Sequence, residues 1–162
     1  RRFGELSGDN ALSLLDRNVH VGQSTISTPG MTLDRDGNPM DLNIPLKINM
    51  AGYSSTKVHI VDRGGTIVDT IRVGAEDISN GIASVRWDGR LGDGSQEYAN
   101  AGTYAVMIAD QSRNPHMYAF NEGVVERIRT AGGRTLVEVN GMFVPLSQVF
   151  EIGIADRQAV DV

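Results

Sequence analysis

Apolar and polar residues alternate with a period of two along much of this chain. The clearest case runs from residue 42 to 50, where every even-numbered residue is Leu, Ile or Met and the intervening residues are Asn, Pro or Lys. Successive side chains of a strand point to opposite faces, so this pattern predicts a half-buried strand. Alternation or short apolar runs predict further strands at residues 18–21, 24–27, 57–62, 66–73, 82–87, 103–109, 124–129, 135–139, 143–146 and 149–152. The chain is therefore predicted to be all-β.

One segment, Gly8–Asp16, has a helical pattern instead. Asp9 or Asn10 would cap a helix whose apolar residues are Ala11, Leu12, Leu14 and Leu15. So short a helix is not stable alone, so it is expected to pack against the following strands or to end a longer helix.

Turn-forming residues divide the chain into two predicted domains. Residues 28–39 are rich in Pro, Gly and Asp, and a second change of texture follows residues 112–115. Because residues 117–154 contain little apolar sequence, we expect the strands before residue 30 to complete their domain. The prediction is a discontinuous domain of residues 1–30 and 117–154, an inserted β-sandwich at residues 31–116, and a polar tail at 155–162.

Composition supports a turn-rich chain and excludes several classes of protein. Glycine accounts for 19 of 162 residues, above its usual share of about 7%. The absence of cysteine excludes disulfides and Cys-ligated zinc. A formal net charge of -5 argues against a dedicated nucleic-acid binder.

Targeting signals are not evident in the sequence. No apolar run approaches the roughly 20 residues that a membrane-spanning helix needs. Arg1-Arg2 is not followed by the apolar stretch of a signal peptide, and the sequence does not begin with Met. We expect the chain to be a fragment of a longer protein.

Two acidic segments are candidates for a cation or catalytic site. The segment from Asp34 to Asn38 resembles a calcium loop, but an EF-hand would need Gly and an acidic residue where Pro39 and Pro45 stand. A loop containing Asp88, Asp93 and Glu97 offers carboxylates for a cation or an acid/base pair. The favoured interpretation is that Asp-Gly pairs at 88–89 and 93–94 form turns.

Other catalytic signatures are missing. His20, His59 and His116 are scattered, and alternation predicts that His20 and His59 lie on solvated strand faces. The sequence contains no G-x-S-x-G, P-loop or G-x-G-x-x-G motif. No catalytic, cofactor-binding or metal-binding residue is assigned.

A spaced signature resembles the flagellar hook-capping protein family, of the FlgD type. Its parts are Trp87-Asp88-Gly89, Asp93-Gly94 and Ala101-Gly102-Thr103-Tyr104. The hairpin at 58–68, the segment at 13–21 and the G-x-x-V-P-L-x-x-V ending at 141–149 are also similar to that family, in the same order. One departure is at residues 97–100, where many members have a proline before Ala-Gly.

The resemblance implies a fibronectin type III-like sandwich inserted into a small Tudor-like, SH3-type barrel. Trp87 should anchor the sandwich core, and Tyr104 should pack beside it with its hydroxyl near the rim. Gly89, Gly94 and Gly102 should permit turns at positive φ. Together with Asp88 and Asp93, these residues form the predicted structural signature.

The resemblance also implies a function without catalysis. The protein would cap the distal end of the growing flagellar hook, outside the cell, after export without a cleavable signal peptide. Its partners would be hook protein subunits and further copies of itself, and it would bind no nucleic acid, membrane, cofactor or small-molecule substrate.

Two other classes of function remain open from the residues. An extracellular Ig-like module that binds carbohydrate or a surface would use exposed aromatic residues, for which Tyr53, Tyr98, Tyr118 and Phe120 are candidates. A hydrolase would use Asp88, Asp93 and Glu97.

Overall fold

Strands dominate the structure, a computed structural model that describes residues 11–151. Within these residues, three short 3-10 helices lie at Leu12–Leu14, Ala75–Asp77 and Leu146–Gln148. The strands of this described part are β1 (Asn18–Gly22), β2 (Thr25–Thr28), β3 (Thr32–Leu33), β4 (Pro39–Met40), β5 (Ile44–Asn49), β6 (Thr56–Val61), β7 (Ile67–Val73), β8 (Ile78–Ser79), β9 (Ile82–Trp87), β10 (Gly102–Ile108), β11 (Tyr118–Ala131), β12 (Arg134–Val139), β13 (Met142–Pro145) and β14 (Val149–Glu151). The predicted all-β class is confirmed.

The contacts divide the chain into two compact units. Unit 2 is Gln23–Ala119, and unit 1 holds the described residues on either side of it. The predicted boundaries lay near residues 30 and 117. The first boundary in the structure lies earlier than the predicted one, because β2 pairs with β10, with Thr28 opposite Gly102 and Thr25 opposite Ala105. Strand β2 was predicted to complete the discontinuous domain. The fibronectin type III-like and Tudor-like assignments stay predictions.

In unit 2, two antiparallel sheets enclose one core, and β3 and β4 form a separate two-stranded sheet. One sheet has the order β2-β10-β6-β7, and in the other β9 lies between β5 and β8. Alternation places Leu46 and Ile48 of β5, and Val58 and Ile60 of β6, in the core, which explains the period-two pattern there. The shared core includes Ile26, Leu46, Ile48, Val58, Ile60, Ala83, Trp87 and Tyr104.

Unit 1 is built on antiparallel pairing around β1 and β11. Strand β1 pairs with both β11 and β14, β11 pairs with β12, and β12 pairs with β13. Its buried core consists of Ala11, Leu14, Val19, Val21, Val125, Val137, Val139, Leu146 and Val149.

Carboxylates stabilise two of the hairpin turns. Asp62 Oδ1 accepts hydrogen bonds from the backbone N–H groups of Gly64 and Thr66, both at 2.9 Å. Asp34 Oδ1 accepts from the N–H groups of Asp36 and Asn38 at the same distance. The predicted turn at Asp34 is confirmed, and the structure adds the short strands β3 and β4 on either side of it.

One local prediction was wrong, and another falls partly outside the described residues. In the segment predicted to be helical, Ala11 is α-helical and Leu12–Leu14 form a 3-10 helix, after which Asp16 adopts a φ of +64°. Residues 8–10 of that segment lie outside the described residues, as do residues 152–154 and the tail at 155–162. His20, predicted to be solvated, is 3% exposed and stacks on Phe120 with ring centroids 3.6 Å apart.

Leucines at positions 12 and 14 give a matched test of the unit 1 core. Leu14 is 1% exposed and Leu12 is 58% exposed. Leu14→Ala should lower the free energy of unfolding by about 2–5 kcal/mol, because it leaves a cavity. Leu12→Ala should change it by less than about 0.5 kcal/mol. Urea unfolding followed by circular dichroism measures both, and equal effects would contradict the assigned core.

Candidate functional site

Trp87, the last residue of β9, anchors the loop of residues 88–101. Its side chain is 1% exposed and meets Tyr104 edge-on, with ring centroids 5.4 Å apart and ring planes at 70°. Trp87 Nε1 donates hydrogen bonds to Asp69 Oδ2 at 3.0 Å and to the carbonyl of Arg90 at 3.2 Å. The Tyr104 hydroxyl donates to the carbonyl of Asn100 at 2.7 Å. Side chains from two core strands therefore hold both ends of the loop.

The loop carboxylates are used mainly in turns. Asp88 Oδ1 accepts from the Arg90 N–H, and Asp93 Oδ1 accepts from the Ser95 N–H, each at 2.9 Å. These contacts match the turn interpretation of the two Asp-Gly pairs. Glu97 is exposed, and its carbonyl accepts from the Leu91 N–H at 2.9 Å. Within residues 11–151 no group of three His, Cys, Asp or Glu side chains is placed to hold a metal ion.

Two glycines in this loop are favoured for different reasons. Gly89 has a φ of +82°, a conformation that L side chains rarely adopt. Gly92 lies so close to β7 that a Cβ would stand 3.2 Å from the Cα of Asp69. Its N–H donates to the carbonyl of Val68 at 2.7 Å, which fastens the loop to the sheet edge. Of the other signature glycines, Gly94 and Gly102 have φ values of +82° and +151°.

A polar clamp closes the outer side of the loop. Arg90 Nε lies 2.5 Å from Asp41 Oδ1, and the Tyr98 hydroxyl donates to the same oxygen at 2.9 Å. The Arg90 guanidinium also stacks over the Tyr98 ring, 4.8 Å from its centroid. Hydrogen bonds from Arg90 and Tyr98 lower the pKa of the Asp41 carboxyl. This clamp joins the end of the β3–β4 hairpin to the loop.

Asp69 has the opposite electrostatic setting. Partial burial raises the pKa of its carboxyl, and the nearby Asp88 carboxylate raises it further. Hydrogen bonds from the Thr70 N–H and from Trp87 act against this increase. Asp69 therefore links β7 to the indole of Trp87, while its side chain stays partly exposed.

Beside the clamp lies a shallow groove. Its lining residues are Met31, Pro39, Arg90, Gln96, Glu97 and Tyr98. Met31, Leu33 and Met40 on the adjoining hairpin are 59%, 52% and 41% exposed. The groove is open and combines apolar with charged residues, so it offers a contact surface rather than a closed pocket for a small molecule.

The sequence interpretation missed Asp41, Asp69 and Arg90. Arg90 could have been identified from the sequence, because it directly follows the Trp-Asp-Gly signature. Asp41 and Asp69 carry no local signal, because their partners are 49 and 18 residues away along the chain.

The aromatic candidates for a ligand platform are not brought together on the surface. Tyr118 is 5% exposed and Phe120 is 2% exposed. Tyr98 is engaged by Asp41 and Arg90, and Tyr53 is 49% exposed. Two of the four rings are therefore buried.

The fold and the loop define an all-β protein in which the loop residues serve structure. The family model for the FlgD Ig-like domain matches residues 32–114, about half of the chain. The chain therefore belongs to the FlgD Ig-like domain family. No curated protein sequence matches it.

Among the solved structures that align with the chain, the first supports the same fold. FlgD of Xanthomonas campestris, described for hook capping in flagellar assembly, aligns with a TM-score of 0.50 and 15% identity over 90% of this chain and 99% of its own. FlgD of P. aeruginosa aligns with a TM-score of 0.48 and 22% identity over 86% of this chain and 98% of its own. Truncated FlgD of Helicobacter pylori aligns with a TM-score of 0.47 and 14% identity over 86% of this chain and 94% of its own. The described residues contain no helix long and apolar enough to cross a membrane.

The role of Trp87 can be tested by truncation. Trp87→Ala should lower the free energy of unfolding by about 3–5 kcal/mol, because a large core side chain is lost. Tyr53→Ala, at an exposed aromatic position, should change it by less than about 0.5 kcal/mol. Chemical unfolding monitored by circular dichroism measures both. A loss below about 1 kcal/mol for Trp87→Ala would contradict the anchoring role.

The clamp predicts a pKa change that is specific to Asp41. Arg90→Gln should raise the pKa of Asp41 toward its ordinary value of 3.8, because the strongest hydrogen bond to the carboxylate is lost. The pKa of Asp69 should stay above 3.8 in both proteins, which gives an internal control. NMR titration of the carboxyl carbons measures both groups, and an unchanged Asp41 pKa would contradict the clamp.

The same clamp should make stability depend on pH. The folded-state pKa of Asp41 is below its unfolded value, so the clamp stabilises above the unfolded pKa and its contribution is lost as pH falls through the lowered pKa. The difference in free energy of unfolding between the unmodified protein and Arg90→Gln should therefore become smaller in strong acid.

Proposed function

We propose that this chain is part of a flagellar hook cap that promotes the assembly of hook subunits. The observation that carries the proposal is the FlgD Ig-like match over residues 32–114. The fold likeness to the Xanthomonas campestris hook-capping protein supports it at the level of architecture. The cap would sit at the distal end of the growing hook, outside the cell, and reach it by export without a cleavable signal peptide.

The chemistry of the Trp87 loop favours a scaffold over an enzyme. Asp88 and Asp93 accept hydrogen bonds from backbone N–H groups, which a turn requires. Asp69 is held by Trp87 and Thr70, and Asp41 by Arg90 and Tyr98. A general acid or base needs a carboxyl group within reach of a substrate proton. Here the carboxylates accept hydrogen bonds from backbone N–H groups and from neighbouring side chains, and this structural use supports a proposed role that is non-catalytic.

The proposed partners are hook protein subunits and further copies of the cap. Protein partners are recognised through surfaces of aromatic, Met and Arg residues. The groove beside the clamp has that composition, with Met31, Arg90 and Tyr98 in its lining. In the fibronectin type III-like and Tudor-like arrangement that we propose, the signature residues Trp87, Asp88, Gly89, Asp93, Gly94, Gly102 and Tyr104 would maintain the shape of this surface.

Deleting the gene in its source bacterium tests the proposal. Cells should retain flagellar rods but lack hooks, because hook subunits would not be retained at the growing end. Electron microscopy of isolated basal bodies shows both structures, and a plasmid copy of the gene should restore the hooks. Normal hooks in the deletion strain would refute the proposed function.

A further inference from the structure

The outer face of strands β11, β12 and β13 combines arginines with apolar side chains. Cross-strand register places Arg127 opposite Glu138, and Glu138 opposite Phe143. The next outward row places Arg129 opposite Leu136, and Leu136 opposite Pro145. Residues directly opposite each other share a face of the sheet.

Arg134 lies in the following row, opposite Ala131. We name this face, formed by Arg127, Arg129, Arg134, Leu136, Glu138, Phe143 and Pro145, the arginine face.

The apolar residues of the arginine face do not belong to the core. The intervening residues Ile128 and Val144 pack against the buried cluster of unit 1, and Val137 is part of it. Leu136, Phe143 and Pro145 lie on the opposite side and remain half-exposed. They form an apolar strip across the two strands β12 and β13 that folding of unit 1 buries only in part.

The arginines are arranged around this strip. The Arg129 guanidinium lies over the Phe143 ring, 5.0 Å from its centroid. Arg127 Nε lies 3.5 Å from Glu138 Oε1, and the Arg127 side chain is 73% exposed. Arg134 is exposed at the hairpin end. The face thus has three arginines and one glutamate, in a chain whose formal net charge is -5.

Glu126 is the nearest further acidic residue in sequence on β11. It lies at the β-bulge between Val125 and Arg127 and is exposed. It is not in the register rows that form the arginine face.

The edge of β13 is poorly suited to pairing with another strand. Among the described strands β13 pairs only with β12, so its other edge is open. Strand β13 ends at Pro145, which has no N–H to donate to a neighbouring strand. A partner would therefore be recognised through side chains on the face rather than through added backbone pairing.

We propose that the arginine face binds an acidic protein segment that also carries an apolar side chain. Carboxylates would contact Arg129 and Arg134 in the bidentate geometry that guanidinium favours, and the apolar side chain would cover Leu136 and Phe143. Arginine and aromatic residues are enriched at protein interfaces, and the apolar strip offers nothing to a phosphate backbone. The surface lies outside residues 32–114, so it goes beyond the FlgD Ig-like match. It does not depend on the hook-capping role.

A labelled peptide tests the proposal directly. The probe is a fluorescein-labelled peptide of about a dozen residues in which Glu alternates with Leu and Phe, and a peptide with Gln in place of Glu is its neutral control. Fluorescence anisotropy in low salt should detect binding of the acidic peptide and at least about tenfold weaker binding of the neutral one. Added salt should weaken the acidic complex, because the contributing charges are exposed.

Matched charge reversals locate the binding surface. The double variant R129E/R134E should weaken peptide binding at least about tenfold. The control R35E/R113E reverses two exposed arginines of unit 2 and should leave binding unchanged. Both variants should keep the circular dichroism spectrum of the unmodified protein, which separates lost binding from lost folding.

Three outcomes would overturn the proposal. The first is no binding of the acidic peptide, or equal binding by R129E/R134E and the unmodified protein. The second is tighter binding of a single-stranded oligonucleotide of the same length. The third is concentration-dependent self-association, measured by sedimentation, that R129E/R134E abolishes, since it would assign the face to a second copy of this chain. The gene deletion is independent of all three, so failure here leaves the hook-capping proposal standing.

Discussion

The indole of Trp87 imposes the constraint on which the surrounding structure depends. A tryptophan buries a large apolar surface, but its N–H must find an acceptor once water is excluded. In this protein the acceptors are Asp69 Oδ2 and the carbonyl of Arg90. One belongs to β7 and the other to the loop that follows Trp87. Satisfying a single buried donor therefore fixes where the loop lies on the sheet.

The remaining features of the loop follow from this position. The loop passes close to β7 where Asp69 reaches the indole, so a side chain at Gly92 would crowd the Asp69 carboxylate and backbone. The same approach removes water from Asp69 and raises the pKa of its carboxyl. On the outer side, Asp41 stays exposed and its pKa is lowered by Arg90 and Tyr98. The two carboxyls differ in pKa because one is desolvated and the other is paired with a cation.

The sequence predicted what depends on local periodicity and missed what depends on distant contacts. Strand β9 was predicted with its observed bounds, because alternation and the Trp-Asp-Gly turn both mark it. The hairpin of β3 and β4 was predicted only as turns, since two-residue strands leave no periodic signal. His20 alternates as a surface residue would, yet its ring stacks on Phe120, about a hundred residues later in the chain. The clamp of Asp41, Arg90 and Tyr98 was not predicted, because Asp41 comes from a different strand connection.

In the sequence, acidic residues of unit 2 suggest a cation site or a catalytic site. In the fold, their carboxylates stabilise turns. Asp34, Asp62, Asp88 and Asp93 each accept a hydrogen bond from the N–H two residues later. This is the Asx-turn geometry that short polar side chains favour. Aspartate supplies the acceptor at all four of these turns, so part of the net charge of -5 comes from residues that build loops. The three arginines that share one sheet face are concentrated against this negative background.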